Sequence, residues 1–334
     1  MPSKQKQKSK PRKKDEVFRV GVDLGGTKML ALVFDKSYKV IGREKKKTKA
    51  TKSSKALFSD ITSTIKSALE DADINKNALQ GIGIGVPGPV EFEKGNIIFT
   101  PNLPFKDFAM KSKLSKVFGA PVTVDNDVNV GLLAELHFGA AENKKHVLGV
   151  FPGTGIGGGL IINGKVFRGA SGAAGEIGHT LVDPDGPMCG CGRRGCLEAI
   201  VGRPAIASQA AVMAMRGSAP YLADNVGTDP ADIRSGALAR SIKAGDKAIK
   251  ELLTHSARLL GRGLSGILNT LSPDTIVLGG GLVEALPDIF LKEVGKGVKE
   301  SVVPCIAQKI SIVVAECGDN AVAMGAAKLV DEVL

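Results

Sequence analysis

Residues 20–34, VGVDLGGTKMLALVF, and residues 148–162, LGVFPGTGIGGGLII, follow the same plan. Each stretch has an apolar segment, a turn containing glycine and threonine, and a second apolar segment, which predicts two strands joined by a tight turn. Between the two stretches, residues 54–72 carry an apolar side chain at every fourth position, and this spacing predicts a helix. The repeated pattern therefore predicts an α/β protein with a duplicated strand–turn–strand core.

Two other stretches predict local structure. The dipeptide Asn163-Gly164 is typical of a two-residue hairpin turn, so the chain is expected to fold back after residue 162. Residues 241–271 have a continuous helical pattern and predict one long helix.

A third glycine-rich turn, at residues 279–281, also follows a predicted strand. Glycine lets the backbone approach a ligand closely and expose its N–H groups to phosphate oxygens. One such turn is more often a plain hairpin, but three of them predict a nucleotide phosphate site. That site is neither a Walker A loop, because no GxxxxGK[ST] occurs, nor a Rossmann fingerprint.

The composition sets limits on the class of protein. A chain of 334 residues has room for two domains, and no apolar run approaches the roughly 18 residues of a membrane span. The N-terminus has no apolar stretch of a secretory signal, so a cytoplasmic protein is expected. Residues 1–14 carry seven of the +11 net charges, and residues 1–16 are predicted to form a disordered basic tail. The tail is either simply solvated or contacts nucleic acid, an anionic polymer or a membrane surface.

The stretch CGCGRRGCLE, residues 189–198, contains three of the five cysteines. Three thiolates with one imidazole form the closed tetrahedral donor set of structural zinc, which does not activate water. The predicted ligands are Cys189, Cys191, Cys196 and His179, which lies ten residues upstream. The alternative is a cluster of reduced thiols in a redox sensor.

Two aspartates compete for a catalytic role in VDNDVN, residues 124–129. The stretch lies between a predicted strand and a predicted helix, where Asp and Asn commonly cap the helix N-terminus. One of Asp125 and Asp127 therefore has a structural explanation.

Taken together, the motifs resemble the ROK family of sugar kinases and sugar-responsive repressors, from about Phe18 to the C-terminus. They are VDLGGTK (22–28), GIGVPGPV (83–90), VDNDVN (124–129), PGTGIGGGL (152–160), GEIGH (175–179), CGCGRRGCLE (189–198) and VLGGGL (277–282). The resemblance implies a two-domain actin-like ATPase (ribonuclease H-like) fold. Residues 17–140, completed by residues 318–334, would form the N-terminal domain. Residues 141–317 would form the C-terminal domain, with the zinc-binding loop and the ATP site.

The resemblance also implies the roles of individual residues. Asp127 is expected to be the catalytic base that accepts the proton of the sugar 6-hydroxyl, and the helix N-terminus is expected to keep it ionised. Asp23 is expected to hold Mg²⁺ through water. The expected sugar-binding residues are Gly88, Asn102, Asn126, Asp127, Glu176, His179 and Glu198. The expected ATP-side residues are Asp23, Gly25, Gly26, Thr27, Lys28, Gly153, Thr154, Gly155, Gly280 and Gly281.

A hexose kinase that uses ATP and Mg²⁺, and most of all a glucokinase, is the function that this resemblance implies. Kinases of another hexose or of an N-acetylhexosamine remain alternatives, as does inorganic polyphosphate as the donor. A ROK repressor would carry a winged-helix segment ahead of the first hairpin, whereas only 19 residues precede Val20 here. We expect a homodimer or homotetramer, with no membrane or specific nucleic-acid partner, in which the domains close on the sugar.

Overall fold

The computed structural model describes residues 17–49 and 53–334, so the predicted tail at residues 1–16 lies outside the described part of the chain. The strands are β1 (Phe18–Leu24), β2 (Lys28–Phe34), β3 (Val40–Lys47), β4 (Leu79–Val86), β5 (Val90–Glu91), β6 (Asn96–Phe99), β7 (Lys106–Phe108), β8 (Val122–Asn126), β9 (Val147–Pro152), β10 (Ile156–Ile162), β11 (Lys165–Val166), β12 (Thr275–Leu278) and β13 (Ser311–Val314).

The helices follow the strands in the alternation that the sequence predicts. They are α1 (Ser54–Asp71), α2 (Met110–Phe118), α3 (Asp127–Phe138), α4 (Leu197–Val201), α5 (Arg203–Met215), α6 (Pro220–Asn225), α7 (Ser235–Ala244), α8 (Lys247–Gly263), α9 (Ser265–Leu271), α10 (Gly281–Ala285), α11 (Pro287–Ser301), α12 (Pro304–Ala307) and α13 (Ala321–Val333). Short 3₁₀ turns occupy Lys76–Ala78, Ile177–His179 and Gly318–Asn320.

Two five-stranded sheets have the same strand order. The first sheet runs β3-β2-β1-β4-β8 and the second runs β11-β10-β9-β12-β13. Strand β1 pairs antiparallel with β2 and parallel with β4. In the same way, β9 pairs antiparallel with β10 and parallel with β12. The predicted duplication of the strand–turn–strand core is therefore confirmed. A smaller sheet, β5-β6-β7, contacts the first sheet through β5 and β8.

The C-terminal helix α13 packs on the first sheet, next to α3. Glycines in two strands permit this close contact: a Cβ atom on Gly21 would lie 1.8 Å from the Ala323 carbonyl oxygen, and one on Gly83 would lie 1.7 Å from the Ala326 carbonyl oxygen. Any larger side chain would push the helix away from β1 and β4.

Helix α3 lies between the two large sheets and positions the site. It follows β8 directly and also contacts β9 and β10 of the second sheet. Its buried apolar side chains form one core with residues of the second sheet and of α13; this core includes Val130, Leu133, Val147, Val277 and Leu329. The N-terminus of α3 is thus held at the boundary between the two halves of the molecule.

Two local predictions had different outcomes. Asn163 and Gly164 have φ values of 54° and 75°, so the predicted hairpin turn is confirmed. The single helix predicted over residues 241–271 is wrong, because the chain forms α7, α8 and α9 there. Helix α7 ends at Ala244, and the next residue, Gly245, has a φ of 105° that breaks the helical path. Among the described residues, no helix is both long and apolar enough to cross a bilayer.

Candidate active site

Asp127 is the first residue of α3, at the carboxyl end of the first sheet. The preceding Asn126 caps this helix, because its Oδ1 atom accepts the N–H groups of Val128 at 2.9 Å and Asn129 at 3.2 Å. The Nδ2 atom of Asn126 donates to the Gly88 carbonyl at 3.2 Å. The turn that carries Asp127 is therefore fixed by both ends of one amide side chain.

Asp125 has a structural role in this turn. One of its oxygens accepts the backbone N–H of Asn126 at 2.7 Å and the side-chain amide of Asn129 at 3.1 Å. The other oxygen pairs with the Arg168 guanidinium at 2.7 Å. The carboxylate is 3% exposed, so these partners occupy it fully. Of the two candidates, Asp127 is the one that is available to a ligand.

Burial shifts the proton equilibrium of Asp127 and of its neighbour Asp23. The Asp127 side chain keeps some exposed surface but lies deep among protein atoms, and this desolvation, followed by the charge of Asp23, raises its pKa to about 7. Desolvation also raises the pKa of Asp23 to about 6, against the opposing charge of Lys28. Burial therefore opposes the helix N-terminus, which was expected to keep Asp127 ionised, and it moves the pKa of this carboxyl up towards neutral pH.

The first glycine turn joins β1 to β2 beside Asp23. It is closed by the Gly25 N–H, which donates to the Lys28 carbonyl at 2.9 Å, while the Thr27 carbonyl accepts the Thr48 N–H at 2.9 Å. The Lys28 ammonium pairs with Asp319 at 3.0 Å, just before α13. The Cβ atom of Asn102 lies 3.8 Å from the position of a Cβ on Gly26.

The second glycine turn, Gly153-Thr154-Gly155, is braced from two sides. Arg203 donates its backbone N–H to the Gly153 carbonyl at 3.0 Å and its guanidinium to the Thr154 hydroxyl at 2.7 Å. The Glu198 carboxylate lies directly under the turn, where a Cβ on Gly155 would lie 2.4 Å from its Oε2 atom. This glycine leaves space for the carboxylate.

The third glycine turn lies next to the second one. The Gly279 N–H donates to the Val150 carbonyl at 3.0 Å, and Gly280 adopts a φ of 80° before α10 begins at Gly281. A Cβ on Gly280 would lie 2.9 Å from the Pro152 carbonyl oxygen at the end of β9. The structure thus brings the second and third turns together, whereas the first turn belongs to the other sheet.

The four predicted zinc ligands form one cluster. Their nearest donor atoms all lie within 4.8 Å of one another. The Sγ atoms of Cys191 and Cys196 are 3.6 Å apart, and the Nδ1 atom of His179 is 3.6 Å from the Cys189 Sγ. Zinc with bonds of about 2.0–2.3 Å in a tetrahedron separates its ligand atoms by about 3.5–3.8 Å. The donor set and its spacing therefore fit a structural zinc ion.

The thiols of this cluster do not ionise equally. A hydrogen bond from the Arg193 backbone is the first cause that lowers the pKa of Cys191 to about 6, whereas burial raises the pKa of Cys196 to about 12. A metal ion supplies the positive charge that three neighbouring thiolates require.

His179 and Glu176 connect the cysteine loop to the recess of Asp127. The Nδ1 atom of His179 is the ring nitrogen 3.6 Å from the Cys189 Sγ, and its Nε2 atom is 3.9 Å from the Glu176 carboxylate. Glu176 is 55% exposed, and its charge contributes to the raised pKa of Asp127.

Gly88 has a φ of 94°, and a Cβ there would lie 2.4 Å from the Phe99 carbonyl oxygen.

Sequence reasoning missed three residues that organise this region. They are Arg168, which pairs with Asp125; Arg203, which braces the second turn; and the buried Glu135 of α3, which accepts three backbone N–H groups. Each has at least one partner that is distant in the sequence, and none belongs to a short motif. The one available signal in the sequence was a charged residue within an otherwise apolar helical segment, and it applies to Glu135.

The comparisons with known proteins agree with this geometry. A family model described as the ROK family matches residues 19–333. A glucokinase of Halalkalibacterium halodurans is 32% identical over 318 residues, which cover 94% of this chain and 94% of that protein. A putative xylose repressor of a Caldicellulosiruptor species is 29% identical over 93% of this chain and 77% of that protein.

Among solved structures, a glucokinase from Streptomyces griseus in complex with glucose and AMPPNP superimposes with a TM-score of 0.80. It is 29% identical and covers 94% of this chain and 99% of its own. The predicted actin-like ATPase fold is confirmed by this likeness together with the two matching sheets.

Proposed function

This chain belongs to the ROK family, and from that premise we propose that it is an ATP-dependent hexose kinase that phosphorylates the 6-hydroxyl of glucose. The observation that carries the proposal is the recessed Asp127 carboxylate, with a pKa of about 7, at the boundary between the two glycine-turn sheets. A kinase needs an acceptor for the hydroxyl proton at that position, whereas a sugar-responsive repressor does not.

Asp127 accepts the proton of the 6-hydroxyl as its oxygen attacks the terminal phosphorus. The transition state of phosphoryl transfer is loose, so orientation contributes more than base strength. The fixed turn at Asn126 supplies that orientation. A base with a pKa near the working pH also transfers its proton onward readily, which supports this assignment of the role.

The sugar contacts come from both halves of the molecule. Asn102, Asn126 and the Gly88 loop face it from the first half, and Glu176, His179 and Glu198 face it from the second. Carboxylates that accept hydroxyl hydrogen bonds discriminate strongly, because an analogue without the hydroxyl leaves them unpaired. Domain closure on the sugar, with residues 17–140 and 318–334 as one domain and residues 141–317 as the other, would exclude water from the reaction.

The donor, MgATP, is expected to lie between the glycine turns. The N–H groups of Gly25 and Gly153 are bonded inside their own turns, so the remaining N–H groups of the Gly25–Thr27 and Gly153–Gly155 turns would receive the phosphates. Lys28 would lie beside them, and Gly280 and Gly281 would contact the adenosine. Asp23 fits the Mg²⁺ of the donor, because it is a recessed carboxylate at the end of β1. That cation supplies neutralisation of phosphate charge.

His179, Cys189, Cys191 and Cys196 would hold zinc, whose contribution when bound is positional. The closed donor set leaves no coordination position for water or sugar. Ligation through Nδ1 would leave the Nε2 atom of His179, on the side of Glu176, to meet a sugar hydroxyl.

The alternatives differ in the acceptor sugar, in the phosphate donor, or in whether the chain phosphorylates the sugar at all. A kinase of another hexose or of an N-acetylhexosamine would keep every role given above and change only the preferred acceptor, and inorganic polyphosphate could replace ATP. A repressor is favoured by one observation, the 29% identity to a putative xylose repressor, and it would bind sugar without turnover.

The test is ADP release across a panel of hexoses and N-acetylhexosamines with MgATP, repeated with polyphosphate and a direct assay of the sugar phosphate. We expect glucose to give the highest kcat/KM. Sugar binding without any phosphorylated product would contradict the kinase proposal and favour the repressor.

A further inference from the structure

Arg168 connects the two halves of the candidate site. It follows β11 of the second sheet, and its Nε and Nη2 atoms lie 2.8 Å and 2.7 Å from the Oδ2 atom of Asp125, at the end of β8 in the first sheet. The two side chains are only 19% and 3% exposed. An ion pair this well enclosed is held in one geometry and is little screened by solvent.

The guanidinium has a second partner in the first half. Its Cζ atom lies 3.6 Å from the centroid of the Phe92 ring, directly over the aromatic face. Nearby, a Cβ on Gly172 would lie 2.4 Å from the Val90 carbonyl oxygen, so the segment after Arg168 touches β5. These segments line a cavity of about 350 Å³.

The contact between Arg168 and Asp125 lies between residues that have roles in the proposed reaction. Asp125 fixes the backbone N–H of Asn126 and therefore the turn that presents Asp127. The segment that begins at Arg168 leads directly to Glu176 and His179. The Arg168 guanidinium thus links the strand that leads to Asp127 with the segment that leads to Glu176.

We propose that Arg168 is a positioning residue for phosphoryl transfer, acting through Asp125 on Asp127 and through its own loop on Glu176; this rests on the function proposed above. This positioning role requires an arginine. A lysine keeps the charge but cannot both pair with Asp125 through two nitrogens and stack on Phe92.

The test compares Arg168→Lys with Arg258→Lys. Arg258 is the matched control, because it pairs with the 6%-exposed Glu293 between α8 and α11, with its Nε atom 3.0 Å from Oε2. We expect both variants to lose some thermal stability. Only Arg168→Lys should lower kcat, by about 10- to 100-fold, and weaken sugar binding several-fold, with the MgATP KM changed less than about threefold.

Two further readouts separate positioning from loss of packing. The double variant Asp125→Asn/Arg168→Lys should be no slower than the slower single variant, because one interaction is removed twice. Millimolar guanidinium should restore part of the turnover of Arg168→Ala and none of that of Asp127→Asn.

The outcomes are distinct from those of the kinase test. An unchanged kcat in Arg168→Lys, or an equal fall in Arg258→Lys, overturns the positioning role while the kinase function stands. If the wild-type chain binds sugar without turnover, the kinase function fails, and the sugar affinities of the two variants still decide the role of Arg168. If no sugar binds at all, both proposals are overturned.

Discussion

The Oε2 atom of Glu198 accepts the backbone N–H of Ile156 at 2.9 Å. Glu198 lies two residues after Cys196, and Ile156 is the first residue of β10, directly after the second glycine turn. This bond therefore joins the cysteine loop to that turn. The other oxygen of the same carboxylate is 3.9 Å from the Cys189 Sγ. A metal ion that orders the cysteine loop would therefore also order the second glycine turn, which is expected to receive the donor phosphate.

Removal of the metal is predicted to disable the donor side as well as the sugar side. Cys191→Ser should lower bound zinc from about one equivalent per chain to below half an equivalent, lower the Tm, and raise the KM values of both substrates. Metal analysis and steady-state kinetics measure these effects. Cys305→Ser is the control, because Cys305 is an exposed thiol outside the cluster. Full zinc content and normal kinetics in Cys191→Ser would refute the ligand assignment.

The rate should depend on pH through Asp127. Its pKa of about 7 in the free enzyme means that the proton-accepting form is lost as the pH falls, so kcat/KM for the sugar should decline on the acid side with a midpoint near 7. Asp23→Asn removes a negative charge that raises this pKa, so its acid limb should lie at lower pH, whatever the loss in absolute rate. A limb that stays in place, or moves upward, would show that the two carboxylates are not coupled.

Glu135→Gln is predicted to weaken the junction between the two halves. The Glu135 carboxylate is buried and accepts the N–H groups of Ala140 at 2.9 Å, Glu316 at 3.0 Å and Cys317 at 2.8 Å, which lie where the chain leaves α3 and where it returns before α13. An amide places an N–H group against these donors. We expect the free energy of unfolding to fall by about 1–3 kcal/mol in a denaturant titration.

Glu316→Gln makes the same chemical change at an exposed side chain on the returning segment. It should alter the free energy of unfolding by less than about 0.5 kcal/mol. Equal losses in the two variants would mean that the buried carboxylate does not hold the junction.

The sequence was informative wherever the determinants are local. The repeated hairpins, the Asn163-Gly164 turn and the cysteine cluster all depend on residues within a short span. The single helix over residues 241–271 failed because apolar spacing does not reveal a left-handed glycine such as Gly245.

Features of the site that depend on contacts between distant residues could not be predicted from the sequence. The pairing of Arg168 with Asp125 joins residues 43 positions apart, and no motif marks it. The raised pKa of Asp127 depends on burial and on Asp23, whereas local sequence shows only a helix N-terminus.

Turnover by Asp127→Asn, measured with glucose and MgATP beside a glucose-binding titration, tests the central claim most directly. The amide keeps the shape of the side chain but cannot take the proton of the hydroxyl, so kcat should fall at least 100-fold while glucose affinity stays within a few-fold of the wild type. A kcat within tenfold of the wild type would contradict the assignment of Asp127 as the base.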